Sequence, residues 1–240
     1  MDVPRPGTDD HDPHLPAVRG GHLPVSAGAR PARAPAATRD AILDAAERLF
    51  ARDGIAAVSN RALIREAGQR NESALQYHFG SRDGLLLALH DRRMRQLDAR
   101  RRARLDAVTA GQAPIAVRDL ARVQLDTILE LAREDPGFVD YLKLLGELVF
   151  VPNAELERAI ERFEVTGTAA VRRRVQASVP HLKPATLARR LDLGRRFILM
   201  SLSRWARQHD GFAGRAADRL AGDLLDMITA MLTAPETGGD

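Results

Sequence analysis

The chain has 240 residues, enough for a small domain joined to a medium one, and 45% of them are hydrophobic, enough for a sizeable core. It contains no cysteine, which excludes disulfides and thiolate metal sites, and Ala, Leu and Arg far outnumber the β-branched residues, which favours helix over sheet. The formal net charge of +4 suits a nucleic-acid partner, although Lys143 and Lys183 are the only lysines and so arginine-rich a usage also follows from a GC-rich genome.

Residues 1–37 hold seven of the 13 prolines and three of the seven histidines without apolar periodicity, the composition of a disordered tail. Asp9, Asp10, His11, Asp12 and His14 are metal-ligand types, but on a solvated arm no metal site is expected. Arg30 and Arg33 stand where an arm preceding a DNA-binding domain can touch the duplex. The N-terminus lacks the basic start and apolar stretch of a secretory signal, and no apolar run approaches the length of a membrane span, so a cytoplasmic chain is expected.

Order is expected from Thr38, a good N-cap with Asp40 in the first turn. Ile42, Ala45, Ala46, Leu49 and Phe50 then form one apolar stripe at helical spacing, and Asp53-Gly54 ends the helix. A second helix starts at Ser59 or Asn60 and stops at Gly68. A short third one has Asn71 as cap, turns Leu75 and Phe79 inward and breaks at Gly80. Ser81 caps a long fourth helix with Asp83 in its first turn and Leu85, Leu86, Leu89 and Leu97 along it. Its arginine run (Arg92, Arg93, Arg95, Arg100, Arg101, Arg102, Arg104) reads as a solvated face with internal ion pairs, and only secondarily as a non-specific DNA attractor. Further helices are expected over 114–134, 137–150, 153–178, 184–209 and 213–233, separated by proline- and glycine-containing breaks. The expectation is an all-α protein of about nine helices: a tail to residue 37, a helix-turn-helix domain over 38–85, a helical domain over 86–234 and a flexible end over 235–240.

Two short helices joined by a glycine-containing turn, the second with a polar face, make a helix-turn-helix whose second helix enters the major groove. The stretch from Thr38 to Leu87 resembles the N-terminal domain of the TetR family of bacterial regulators. The resemblance is carried by AILDAAERLF followed by Gly54, by the Ala67-Gly68 turn, and by Tyr77-His78-Phe79 followed by Ser81-Arg82 and Leu85. It departs from the family pattern in one place: the turn is one residue longer, with Gln69-Arg70 in place of a single residue and Asn71 where a capping Ser is usual. The reach of Gln69 and Arg70 is open at this point.

The resemblance implies roles position by position. Arg61 and Gln76 match base-reading positions, which suits Arg for guanine and Gln for adenine. Glu72, Ser73 and Ala74 lie on the groove-facing side, and Tyr77, His78 and Arg82 match phosphate-contacting positions. Ser59 and Asn60 offer side chains or a helix N-terminus to phosphate. From Thr38 to Leu85 seven arginines face seven acids, so the head is formally neutral and affinity has to come from the placement of a few cations.

The last two helices, 184–209 and 213–233, are apolar on more than one side, and a helix apolar on two sides is covered on two sides. A homodimer through these helices is expected, which matches the resemblance and the two-fold symmetry of near-palindromic double-stranded DNA operators. Phe138, Tyr141, Leu142, Leu145, Phe150, Phe163, Phe197 and Trp205 are candidates for lining a pocket for a small-molecule effector, with Tyr141 or His181 as polar groups; core packing is the competing reading of each. The function expected is a DNA-binding transcriptional regulator, by default a repressor released by its ligand. No nucleophile elbow, phosphate loop, His-Glu-x-x-His motif or cofactor-binding signature is present, so neither an enzyme nor a cofactor is expected. The rival readings are a non-specific DNA binder, which the neutral head disfavours, and a purely structural helical dimer, which leaves the third helix unexplained.

Overall fold

The computed structural model describes residues 35–110, 115–148 and 166–236. Among them are nine helices and no strand: α1 (Pro35–Asp53), α2 (Asn60–Glu66), α3 (Ser73–Phe79), α4 (Arg82–Thr109), α5 (Val117–Glu134), α6 (Pro136–Leu148), α7 (Thr166–Ser178), α8 (Pro184–Gln208) and α9 (Arg215–Thr233). The tail, Arg30, Arg33, Phe150, Phe163 and the start of the helix expected from residue 153 lie outside the described residues.

Helix α1 begins at Pro35, three residues ahead of the expected Thr38 cap. Proline fits the first turn because its missing N–H has no intrahelical partner there and its φ is already helical. Thr38 is accordingly buried inside the helix, and Asp40 falls in the second turn. The expected stripe is the buried one: Ile42, Ala45, Ala46 and Phe50 are wholly buried, joined by Leu43. At about 1.5–3 kcal/mol for each large apolar side chain removed from water, this stripe is what holds α1 in place.

α2 packs against α1 and α3 against α4, burying Leu63, Ile64 and Leu75. Ser81 then starts α4 in extended backbone, its Oγ accepting the Gly84 N–H at 2.9 Å. α4 runs on for 28 residues and packs against α5 and α7, so one continuous apolar core extends from Ile42 to Leu232. The described residues fall within a single compact unit.

α6 packs on both α1 and α8, and its contact with α8 is the most extensive between the described helices. A β-carbon at Gly146 would collide with Ser203 Oγ, so this close crossing depends on glycine. α9 closes the bundle against α5 and α8.

Candidate nucleic-acid interface

The helix-turn-helix is built locally. Ser59 holds an extended conformation and its Oγ accepts the Ala62 N–H at 3.2 Å, so Ser59 caps α2 and leaves Asn60 and Arg61 exposed in the first turn. The longer turn takes a definite form. Gln69 N–H bonds to the Ile64 carbonyl at 2.9 Å and Gly68 N–H to the Arg65 carbonyl at 3.0 Å, the paired bonds of a Schellman motif. This requires the left-handed φ of +68° at Gly68, which glycine takes without penalty. The Gln69 amide folds back onto the Ala67 carbonyl at 3.3 Å, while Arg70 stays exposed. The extra residue therefore lengthens the exposed link beyond the helix end, and α2 itself is undisturbed. α3 starts at Ser73 with Glu72, not the expected Asn71, at the cap position and without a side-chain cap bond; Asn71 stands one residue earlier, where its Oδ1 accepts the Ser73 N–H at 2.9 Å.

Within α3, Leu75 is buried and Phe79 half-buried beneath the Arg39 guanidinium, 5.4 Å from its ring centroid. The opposite side presents Ser73, Gln76 and Tyr77 to solvent, with Glu72 exposed just ahead of the helix and Ala74 and His78 half-buried at its flanks. Tyr77 is 79% exposed, more than any other large apolar side chain among the described residues. Its ring meets His78 edge-on at 4.9 Å. A free tyrosine beside a polar helix face, held by a packed underside, is the surface that a groove-entering helix presents.

Arg82 is tied into the protein. Its Nη1 donates to Asn60 Oδ1 at 3.2 Å, its Nη2 donates to the Ile55 carbonyl, and its guanidinium lies 4.9 Å from the Phe50 ring centroid. Burial lowers its pKa from the ordinary value. Arg82 thus fastens the start of α4 to α1, to the α1–α2 loop and to the first turn of α2. Sequence spacing gave no signal of this, since the partners stand 22 and 27 residues away.

Two polar clusters join this head to the rest of the molecule. In the first, Glu47 of α1, only 2% exposed, receives Arg93 Nε and Nη2 at 2.6 Å each and Arg92 Nη2 at 2.7 Å. Arg93 also reaches Asp135, at the α5–α6 junction, at 2.5 Å, and Gln96 at 2.8 Å. Burial works against the Arg93 charge, but the carboxylates of Glu47 and Asp135 outweigh it and hold the Arg93 pKa above its ordinary value. A cleft of about 400 Å³ opens beside this cluster, lined by Asp44, Arg48 and Asp140 as well as the paired groups. In the second cluster, Glu147 of α6 accepts the Ile55 N–H at 2.9 Å and Arg207 Nη2 of α8 at 2.8 Å.

The arginine run of α4 is therefore only partly the solvated face expected. Arg95, Arg100, Arg102 and Arg104 make exposed or half-exposed ion pairs, but Arg93 and Arg101 are buried. The physical reason is that α1, α5 and α7 pack on α4, and Arg93 and Arg101 fall on its covered sides, whereas Arg95 and Arg102 share an exposed stripe with Ala99 and Ala103.

Of the residues expected to line a pocket, Phe138, Tyr141, Leu142 and Leu145 are packed into the core. Phe138 and Tyr141 are 5.6 Å apart between centroids, and Tyr141 Oη lies 2.7 Å from His90 Nδ1. Burial, then the Arg195 charge, depresses the His90 pKa to about 4, so His90 is neutral at physiological pH. Phe197 is half-buried on α8. Trp205 stacks on His209 at 3.7 Å and donates Nε1–H to the Gly211 carbonyl at 2.9 Å, which fixes the α8–α9 connection. His181 is exposed.

Residues 42–89 match the family described as bacterial regulatory proteins, tetR family, and residues 122–234 match the one described as tetracyclin repressor-like, C-terminal domain. The chain belongs to the TetR family. Solved structures agree on the fold. A TetR-family transcription regulator from Shewanella sp. PV-4 superimposes with a TM-score of 0.58 at 18% identity, covering 82% of this chain and 96% of its own. The fatty acid degradation regulator FadR from Bacillus halodurans gives 0.55 at 13% identity, covering 84% and 97%. FadR from Bacillus subtilis, solved in complex with stearoyl-CoA, gives 0.54 at 17% identity, covering 82% and 98%. No curated protein matches the sequence significantly. This TetR-family chain is thus a transcriptional regulator with the family's helix-turn-helix head and helical C-terminal domain. No helix among its described residues is long and apolar enough to cross a membrane.

Proposed function

We propose that this regulator binds a near-palindromic operator as a homodimer, represses the adjoining gene by occupying its DNA, and leaves the operator when a small molecule binds the C-terminal domain. The observation that carries the reading is α3: a short helix anchored by Leu75 that offers Ser73, Gln76 and a 79% exposed Tyr77 to a groove. Arg61 and Gln76 read base edges; Ser73 and Ala74 lie against the groove, and Glu72 rejects wrong registers by repelling phosphate. Tyr77, His78, Asn60 and Arg70 meet the phosphate backbone, Ser59 caps α2 and Asn71 braces the turn ahead of α3, Gln69 closes the turn, and Arg82 holds α1 and the first turn of α2 to α4.

Dimerisation falls to α8 and α9. Leu193, Phe197 and Met200 form one stripe on α8, and Leu220, Met227 and Met231 form one on α9. Leu193 is 51% and Met227 54% exposed in the single chain, apolar surface that a second copy would cover. A two-fold dimer places its recognition helices about 34–36 Å apart, one turn of duplex. A ligand that favours a different separation empties the operator by population shift.

The test is the affinity of the purified protein for duplexes spanning the DNA upstream of its own gene, against scrambled duplexes at about 0.15 M salt. The reading expects an upstream duplex to bind roughly a thousandfold more tightly than scrambled DNA. Equal affinity throughout, falling steeply with salt, would replace it with non-specific binding.

A further inference from the structure

Seven arginines lie on α4 between Arg92 and Arg104, and six of them have a carboxylate partner within ion-pair distance. The exception among the described residues is Arg101, which is among the most buried of these arginines, at 6% exposure. Its helix neighbours at i−4 and i+4, Leu97 and Leu105, are buried, and so is Val171, one turn along α7 from the Arg101 partner Thr168. The guanidinium thus enters an apolar layer between two helices.

Its one hydrogen bond among the described residues runs from Nη1 to Thr168 Oγ1, at 2.9 Å. Nε is buried and has no hydrogen-bond partner among the described residues. The acid best placed to help is Asp98, one turn earlier, but its oxygens are committed elsewhere: Oδ1 accepts the Gly167 N–H at 2.6 Å and Oδ2 faces Arg102 at 3.2 Å. Close by, Tyr141 Oη and His90 Nδ1 are hydrogen-bonded to each other.

Arginine keeps its proton in proteins, even where burial lowers its pKa to about 10 as here. Asp98 favours the charge from a distance, but a guanidinium taken out of water with no carboxylate in ion-pair distance among the described residues is costly, and the fork formed by Nε–H and the Nη on the same side is the standard side-on grip on a carboxylate. Here Nη1 is occupied and the Nε edge is free. The Thr168 hydroxyl accepts from Nη1 and still has its own proton to donate.

We propose that Arg101 anchors an anion site in the C-terminal domain, and that the effector is an apolar molecule bearing a carboxylate, gripped by the free edge of Arg101 and by Thr168 Oγ1. The class of effector rests on the reading of the C-terminal domain as ligand-responsive; the anion site rests on Arg101 alone. An acid with an apolar body matches both the unpaired cation and the leucine and valine layer around it.

The probe is octanoate, with octanamide as its neutral counterpart, titrated into the full-length protein labelled with 15N in arginine. The Arg101 Nε–H signal is assigned by its loss in Arg101→Met. Octanoate should move that signal saturably and octanamide should not, and melting temperature should rise with octanoate in the parent. In Arg101→Met and in Arg101→Lys the octanoate affinity should fall at least tenfold. The proposal is overturned if octanoate leaves the Nε signal unmoved, if octanamide moves it equally, or if octanoate affinity survives both substitutions. Operator affinity is measured in the same samples without and with octanoate. Saturable binding at Arg101 that leaves the operator affinity unchanged would keep the anion site and sink ligand-controlled release.

Discussion

The cluster around Glu47 makes the sharpest stability prediction. Replacing Arg93 with Met leaves the Glu47 carboxylate 97–98% out of water with only Arg92 against it, at 2.7 Å. Breaking a buried pair from one side costs about 3–5 kcal/mol. Because Arg92 remains, Arg93→Met should fall at the low end, about 3 kcal/mol. Glu47→Leu leaves Arg93 with Asp135 at 2.5 Å, a partner 37% exposed, and should cost about 2 kcal/mol. The double substitution removes both charges and fills the space with apolar atoms of similar volume, which is often nearly neutral. The two single costs should therefore exceed the double cost by at least about 1.5 kcal/mol. The assay is urea unfolding followed by circular dichroism at one protein concentration, since a dimer's stability depends on it. Additivity within about 0.5 kcal/mol would refute a coupled buried pair at this head–body junction.

Other consequences follow from the same geometry. His90 has its pKa lowered to about 4 in the fold against an ordinary 6.5, so the folded state favours the neutral ring. Its contribution is present above pH 6.5 and is lost as pH falls towards 4, an effect on the order of 3 kcal/mol, and His90→Gln should flatten the difference in a pH series of melting curves. An unchanged pH slope would contradict the burial argument. Arg82→Ala frees the Ile55 carbonyl and Asn60 and should cost about 1–3 kcal/mol in unfolding while weakening binding to all duplexes alike; a sequence-selective loss would mean that Arg82 reads bases. Met227→Glu, on the exposed stripe of α9, should shift the protein to monomer in analytical ultracentrifugation with the helical spectrum retained. A dimer of unchanged stability would move the interface elsewhere.

The helices of the head were readable because their signals are local. The stripe from Ile42 to Phe50, the Ser59 and Ser81 caps and the glycine at position 68 each act within one or two turns. The start of α1 was misplaced by three residues because Thr38 carries the chemistry of a cap and Pro35 opens the helix without one. What could not be read is what links distant segments. Arg93 differs from Arg95 only in the side of α4 on which it falls, and burial there depends on α1 and the α5–α6 junction, 46 and 42 residues away. The polar links from Glu147 to Ile55 and from Arg82 to Ile55 are likewise backbone contacts that carry no residue signature. Aromatics at helical spacing suited a pocket and a core equally, and Phe138 and Tyr141 went to the core.

The most direct test is selection of bound duplexes from a random pool by the full-length protein, run beside Gln76→Ala. Reading by α3 within a two-fold dimer predicts an enriched inverted repeat with half-sites one helical turn apart, and relaxed preference at one symmetric position when Gln76 is removed, a discrimination of about 1–3 kcal/mol. A pool that stays random with the parent, or an enriched sequence unchanged by loss of Gln76, would contradict it.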